Sequence, residues 1–185
     1  MSSSVGGPPL LLVTVGTDHH PFARLLDWVG RWSAGHPTWQ VAVQHGATPA
    51  PGYGRCFAFC GHDELQQLFA SADVVVAHGG PATITQARAA GHVPVVVPRQ
   101  PALGEHVDDH QVLFARRLGA AGVVHLAESE AALAAAVDAA RAGAHGGRAA
   151  AAGDDVPPGV LKVGLVVEQL VAGRRRGARR PLGPA

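Results

Sequence analysis

The sequence predicts an α/β fold, a doubly wound parallel sheet, on three observations. Asp73 to Ala77 and Val93 to Val97 are apolar and largely β-branched without alternation, as in strands buried on both faces of a parallel sheet. Strand-like and helix-like stretches alternate along the chain, so right-handed crossovers would return each strand parallel to the last. The strands also end in glycine-containing turns, Gly16-Thr17 and His78-Gly79-Gly80, where the carboxyl edge of such a sheet binds ligands.

Taken in order, residues 1–9 form a Ser/Gly/Pro leader expected to be disordered. Leu10 to Val15 reads as the first buried strand. Pro21 opens a helix to about Ala34, with Phe22, Leu25, Leu26 and Val29 as its apolar stripe. Trp28 and Trp32, four apart, share a face of it suited to core or a subunit interface. Trp39 to Gln44 and Arg55 to Phe59 read as strands two and three. A helix over Leu65 to Ser71 follows, with Asp63 as its expected N-cap. The strand Asp73 to Ala77 then leads to a helix from Pro81, a residue suited to the first turn, to about Ala90 before Gly91. Val93 to Val97 is the next strand, Asp109 to Leu118 a helix, Gly122 to Leu126 the last strand and Ser129 to Ala142 an alanine-rich helix. Residues 143–157 read as a flexible connector and Val160 to Ala172 as a final amphipathic helix. The expected domain is therefore residues 10–172, followed by a basic, disordered tail at 173–185.

The helix after His78-Gly79-Gly80 would aim free N–H groups and a positive dipole end into the crevice, a place for a diphosphate without a metal. Thr83 adds a hydroxyl in its first turn, and Gln86, three residues on, lies on the same face. Arg99, at a strand end, suits either a base or phosphate contact or a surface salt bridge. The polar stretch Gly104-Glu105-His106-Val107-Asp108-Asp109-His110-Gln111 is placed to line the same crevice. Asp108 and Asp109 suit helix capping equally well, and His106, Asp109 and His110 suggest a metal that a helix-held diphosphate does not need. His19, in the loop after the first strand, is a candidate to contact the donor or a reacting hydroxyl, or an exposed histidine with no role.

Three motifs together, VTVGT at Val13 to Thr17, HGGPATITQA from His78, and GEHVDDHQ from Gly104 after a strand ending Pro98-Arg99, resemble the donor-binding domain of the glycosyltransferase family 28 group. That group includes the N-acetylglucosaminyltransferase that makes lipid II and the small soluble subunit of the enzyme that adds the second N-acetylglucosamine to dolichol-linked sugars. Bacterial exopolysaccharide pathways have similar split pairs. The resemblance covers roughly residues 10 to 172 and implies a Rossmann-like fold, the single C-terminal half of a GT-B glycosyltransferase. It implies UDP-sugar contacts at Gly16, Thr17, His78, Gly79, Gly80, Thr83, Gln86, Arg99, Glu105, His106 and Gln111. Glu105 and Gln111 are the first choices within their loop, and His19 and Glu105 the candidate catalytic groups. Members usually carry a glutamate on this helix that grips the ribose hydroxyls; its place here is Gln86, which loses the strength of a charge-assisted bond.

The implied function is transfer of a sugar, a hexosamine by family habit, from a UDP-sugar to a lipid-linked or glycan acceptor. No cofactor or metal is expected. The base commonly comes from the other domain of such enzymes, so a membrane-associated, acceptor-binding subunit is the expected partner, with homo-oligomerisation left open. The Trp28/Trp32 face, the last helix and the arginine tail are candidate contact surfaces. A non-catalytic nucleotide-binding or scaffold protein is the alternative that Gln86 favours. An isomerase like the non-hydrolysing sugar-nucleotide epimerases would need a second domain.

Bulk properties agree. The 185 residues suit one domain, and a net charge of +1 gives no general reason to expect nucleic acid. Arg174, Arg175, Arg176, Arg179 and Arg180 crowd the carboxyl end, as a solvated tail or a contact with anionic lipid or an acidic partner. Cys56 and Cys60, about 13 Å apart if on one strand, are too far apart to bridge and fit a reducing compartment. No signal peptide is evident, and the segment Val160 to Val171 is too short to span a bilayer and holds Lys162 and Glu168. A cytoplasmic location is expected, peripheral to the membrane only through a partner.

Overall fold

The structure is a computed structural model that describes residues 7–147. Six strands form one parallel sheet: β1 (Leu10–Thr14), β2 (Gln40–Gln44), β3 (Arg55–Phe57), β4 (Val74–Ala77), β5 (Val95–Val96) and β6 (His125–Leu126). Their order is β3-β2-β1-β4-β5-β6, all neighbours parallel. The five α-helices are α1 (Ala23–Ala34), α2 (His62–Ser71), α3 (Pro81–Ala89), α4 (His110–Ala120) and α5 (Glu130–Gly147).

Alternation along the buried strands explains how two helical layers share one sheet. Leu11, Val13, Val15, Val74 and Val76 point to one face, where they pack with Phe22, Leu25 and Val29 at α1 and Leu133 and Val137 of α5. Leu12 and Val75 point to the other, against Leu68 and Phe69 of α2 and Ala87 of α3, while Ile84, Val96, Phe114 and Leu118 close that layer toward β6. Apolar side chains on both sides are what the unalternating sequence runs require.

β1 and β4 pair at the centre in the register Leu11↔Val74 to Thr14↔Ala77. The chain leaves β1 toward α1 on one face and β4 toward α3 on the other. Connections that part in this way leave a crevice above the two strand ends, the switch point of the sheet.

Several boundaries differ from expectation. α1 starts at Ala23, two residues after Pro21, because the N–H of Phe22 is held by Thr48 Oγ1 at 2.9 Å. α2 begins at His62 with Gly61 as N-cap and no side-chain cap, so Asp63 sits inside the first turn, beside the helix dipole. Asp73 stands just before β4, where its carboxylate accepts the Leu10 N–H at 2.8 Å. β3, β5 and β6 are shorter than their apolar runs, since flanking residues such as Val97 and Val123 are buried in loops. α5 continues to Gly147, so residues 143–147 of the expected connector are helical. The remainder of that connector, the helix expected at 160–172 and the arginine tail lie outside the described residues.

Trp28 and Trp32 do not act as a pair. Trp32 is buried, with its ring stacked on His36 and edge-on to Trp39, whereas half-buried Trp28 carries the Arg24 guanidinium 4.7 Å above its ring. Cys56 and Cys60 are both free thiols. Among the described residues no helix is long and apolar enough to cross a membrane.

Leu12, fully buried beneath α2 and α3, tests the two-layer packing. Leu12→Ala is expected to lower the unfolding free energy by about 2–5 kcal/mol in chemical denaturation.

Candidate functional site

The crevice above β1 and β4 holds a pocket of about 320 Å³ lined by Thr14, Gly16, Thr17, Gln44, Phe59, Cys60, Leu65, His78, Gly80, Pro81, Ala82, Thr83 and Gln86. Two loops and the first turns of α3 thus meet at one place. Of the residues expected there, Gly16, Thr17, His78, Gly80, Thr83 and Gln86 come together.

The close approach depends on missing Cβ atoms. The His78 ring fills the space beside Gly16 and Gly80, so that a Cβ on either would stand 2.5 Å and 2.4 Å from ring atoms. Gly79, at φ +95, turns the chain from β4 into α3 in a conformation that side-chain-bearing residues rarely adopt.

α3 begins with Gly80 as N-cap and Pro81 in the first position; no side chain caps it and no acidic residue occupies its first turn. Helix geometry leaves the N–H groups of Ala82 and Thr83 without intrahelical acceptors. Both residues line the pocket, so these donors and the positive helix end suit an anion.

The opposite wall is fixed by Gln44, whose role the sequence did not announce. Its Oε1 accepts from Thr14 Oγ1 at 2.7 Å and from Gly16 N at 3.2 Å, and its Nε2 donates to Gly16 O and Ala58 O. A buried glutamine at a strand end was the available signal, hidden because its partners lie on β1 and on two different loops. Phe59, at the end of the stretch that reads as the third strand, lies beyond β3, 60% exposed and lining the pocket.

Arg99 proves to be neither a surface ion pair nor a group on the pocket wall. It is 0% exposed and lies over the Phe22 ring at 4.7 Å. Its guanidinium donates to the carbonyls of Val15, His20 and Glu105 at 2.9, 2.7 and 3.0 Å. Burial pulls its pKa below the ordinary guanidinium value, while the charges of Asp18 and Glu105 oppose the shift.

Glu105 is likewise committed to the scaffold. Buried, it takes both Nε and Nη2 of Arg24 at 2.9 and 2.7 Å and the Gln100 N–H at 2.8 Å. Neither Glu105 nor His106 nor Gln111 lines the pocket, because η1 (Pro101–Leu103) and the loop after it fold beside the crevice. His106 instead reaches Asp18 at 3.6 Å. Asp108 caps α4 through its Oδ1, which accepts the His110 N–H at 3.1 Å, although Asp109 holds the N-cap position. His19 is 86% exposed, 3.8 Å from Asp18 and outside the pocket.

Among the described residues lining the pocket, only His78 and Cys60 titrate. Burial, reinforced by the Arg99 charge, pushes the His78 pKa down to about 4, so the ring is neutral near pH 7. Burial pushes the Cys60 thiol up, with Glu64 adding to the shift.

Two outcomes are expected from this geometry. Between the ordinary pKa of 6.5 and about 4 the unfolded chain binds more protons at His78 than the folded one, so stability falls as pH is lowered through that window. The loss amounts to about 3 kcal/mol, and His78→Gln should flatten the slope in denaturation series at several pH values. Arg99→Met leaves three carbonyls without their donor and should cost about 3 kcal/mol or more in the same assay, with Arg99→Lys a poor substitute because an ammonium lacks the fork.

The model of the "Glycosyltransferase family 28 C-terminal domain" matches residues 10–152. No curated protein matches the sequence. Among solved structures, the calicheamicin glycosyltransferase CalG4 superposes with a TM-score of 0.57 at 18% identity, over 92% of this chain and 44% of that one. The glycotransferase of kitacinnamycin superposes with a TM-score of 0.54 at 18% identity, over 93% of this chain and 41% of that one. This chain therefore spans less than half the length of these structures, and the likeness to them is one of fold.

Proposed function

Given that this chain belongs to the glycosyltransferase family 28 C-terminal domain family, we propose that it is the donor-binding half of a GT-B glycosyltransferase and binds a UDP-sugar in the pocket above β1 and β4. The observation that carries the reading is the uncapped start of α3. Two amides, the Thr83 hydroxyl and a helix dipole border a pocket whose His78 ring fits only because Gly16 and Gly80 lack Cβ atoms.

In this reading the diphosphate lies against the N-terminus of α3, where charge growing on the leaving group is met by donors already in place and no metal is needed. Gln86, one turn on, holds the ribose or sugar hydroxyls, and exposed Phe59 offers its face to the base. Neutral His78 supplies shape and one hydrogen bond without charge. The transferred sugar is a hexosamine and the acceptor a lipid-linked or glycan hydroxyl. A membrane-associated subunit brings that acceptor and the base, and holds this chain at the cytoplasmic face of the membrane.

A second reading, a nucleotide-binding scaffold without transfer activity, draws on Gln86, where the resembled family has a carboxylate. Gln86→Glu distinguishes them: a large gain in UDP affinity with no transfer activity favours the scaffold.

Calorimetric titration with UDP and then UDP-N-acetylglucosamine, at low salt with chelator present, is expected to show saturable binding. Thr83→Ala should weaken it about tenfold, the worth of one hydrogen bond to a charged oxygen. Gly80→Ala, which drives a methyl into the His78 ring, should abolish it. The absence of saturable binding of any nucleotide overturns the proposal.

A further inference from the structure

We propose that the chain carries a second site, a divalent transition-metal site of the zinc class, formed by Asp18, His19 and His20, with His106 beside Asp18 as the fourth ligand. It is separate from the pocket and does not depend on the reading given to it.

The ligand atoms are brought together by two loops far apart in sequence. In the β1–α1 loop, Asp18, His19 and His20 place one ligand atom each within 4.8 Å of one another. Asp18 Oδ1 stands 2.7 Å from His20 Nδ1 and 3.8 Å from His19 Nδ1. From the loop before α4, His106 brings its Nε2 to 3.6 Å from Asp18 Oδ2. The His20 and His106 rings lie with centroids 6.2 Å apart. Four ligands at about 2.0–2.1 Å from a tetrahedral zinc ion stand about 3.3 Å from one another. The separations from Asp18, at 2.7, 3.8 and 3.6 Å, lie on either side of that value, while the His106 ring, 6.2 Å from that of His20, stands outside the group of three and has to turn in to complete the shell.

Chemistry and support point the same way. Imidazole nitrogens with one carboxylate oxygen are donors that zinc accepts and that magnesium or calcium, which favour all-oxygen shells, do not select. The backbone is held in advance, since His20 N donates to Asp18 Oδ1 at 2.7 Å and Arg99 donates to His20 O at 2.7 Å. The His106 Nδ1 lies 3.3 Å from both the backbone nitrogen and the carbonyl of Asp108 and 3.4 Å from its carboxylate, which fixes the ring. Asp18, His20 and His106 are partly covered, with side chains 25%, 23% and 17% exposed, whereas His19 is free to swing.

One charge opposes the site. The Arg99 cation is close enough to act on Asp18, but it also interacts with Glu105, whose negative charge offsets part of it. A bound cation would tie the loop that ends in Gly16-Thr17 to the loop before α4. It would also sit close to the pocket, since Asp18 and His106 both act electrostatically on His78.

The test is titration of the metal-stripped full chain with zinc chloride, followed by cobalt(II) as a spectroscopic substitute. About one zinc per chain is expected, with a visible cobalt spectrum of low-coordinate type. His20→Ala and His106→Ala should each weaken zinc about tenfold or more, by analogy with or beyond the effect of losing a supporting group. His62→Ala, at the start of α2 and outside the cluster, should leave it unchanged. If a variant misfolds by circular dichroism, His106→Gln and Asp18→Asn replace it. Zinc uptake that is insensitive to all these changes, spread over several weak equivalents or lost equally in His62→Ala marks scattered surface histidines and overturns the site, as does no saturable binding. UDP titration in chelator reports separately on the pocket.

Discussion

One buried guanidinium holds the functional edge of this sheet together. Arg99 extends from the end of the β5 segment to the carbonyls of Val15, His20 and Glu105, and its plane rests on Phe22. The carboxyl ends of parallel strands leave carbonyls that the sheet itself does not pair, and a rigid five-donor fork can satisfy several at once. Arg24 and Glu105 form an ion pair alongside and fix the Gln100 turn and the Pro98 carbonyl. The β1–α1 loop and the loops after β5 are thereby fixed relative to each other before any ligand arrives. A pocket built on such loops begins with its ordering entropy already lost in folding.

Within that frame the pocket is shaped by subtraction. Gly16 and Gly80 give up side chains so that the buried His78 ring can lie between them. A histidine held neutral by burial fills this space without repelling or attracting an anion strongly. The charge complementarity is left to the backbone of α3, which cannot be titrated away. Gln44 performs the matching task on the other wall by satisfying Thr14, Gly16 and Ala58 with one amide.

The layer order, the parallel sheet and the helix after Gly79-Gly80 were legible because they depend on local properties: β-branched apolar runs, glycine at turns and proline at a helix start. Strand ends were less so. Val93 to Val97 is apolar throughout, yet only Val95–Val96 is strand, since burial dictates composition and pairing dictates strand. Asp63 has the composition of a cap, but the N-cap of α2 is Gly61, two residues earlier than the helix pattern suggested. The site divided along the same line. Gly16, Thr17, His78, Gly80, Thr83 and Gln86 follow strand ends or sit in the first turns of the helix after one and line one pocket, while Glu105 and Gln111, expected there from a polar run whose fold no local rule fixes, do not.

The sequence by itself determined the class of fold, the edge of the sheet at which the pocket opens and the family likeness, because period, glycine and proline act over a few residues. Only the tertiary structure decided what the charged residues do. Arg99, Glu105 and His106 read as ligand contacts in one dimension; in three, Arg99 and Glu105 hold the loops and His106 faces Asp18 across 3.6 Å. A long-range ion pair or hydrogen bond leaves no periodic trace in the chain, since its partners are 81 residues apart for Arg24 and Glu105 and 84 for Arg99 and Val15. Which buried charge meets which carbonyl is settled by the packing of loops, where desolvation makes each unpaired group costly and leaves few arrangements that satisfy them all.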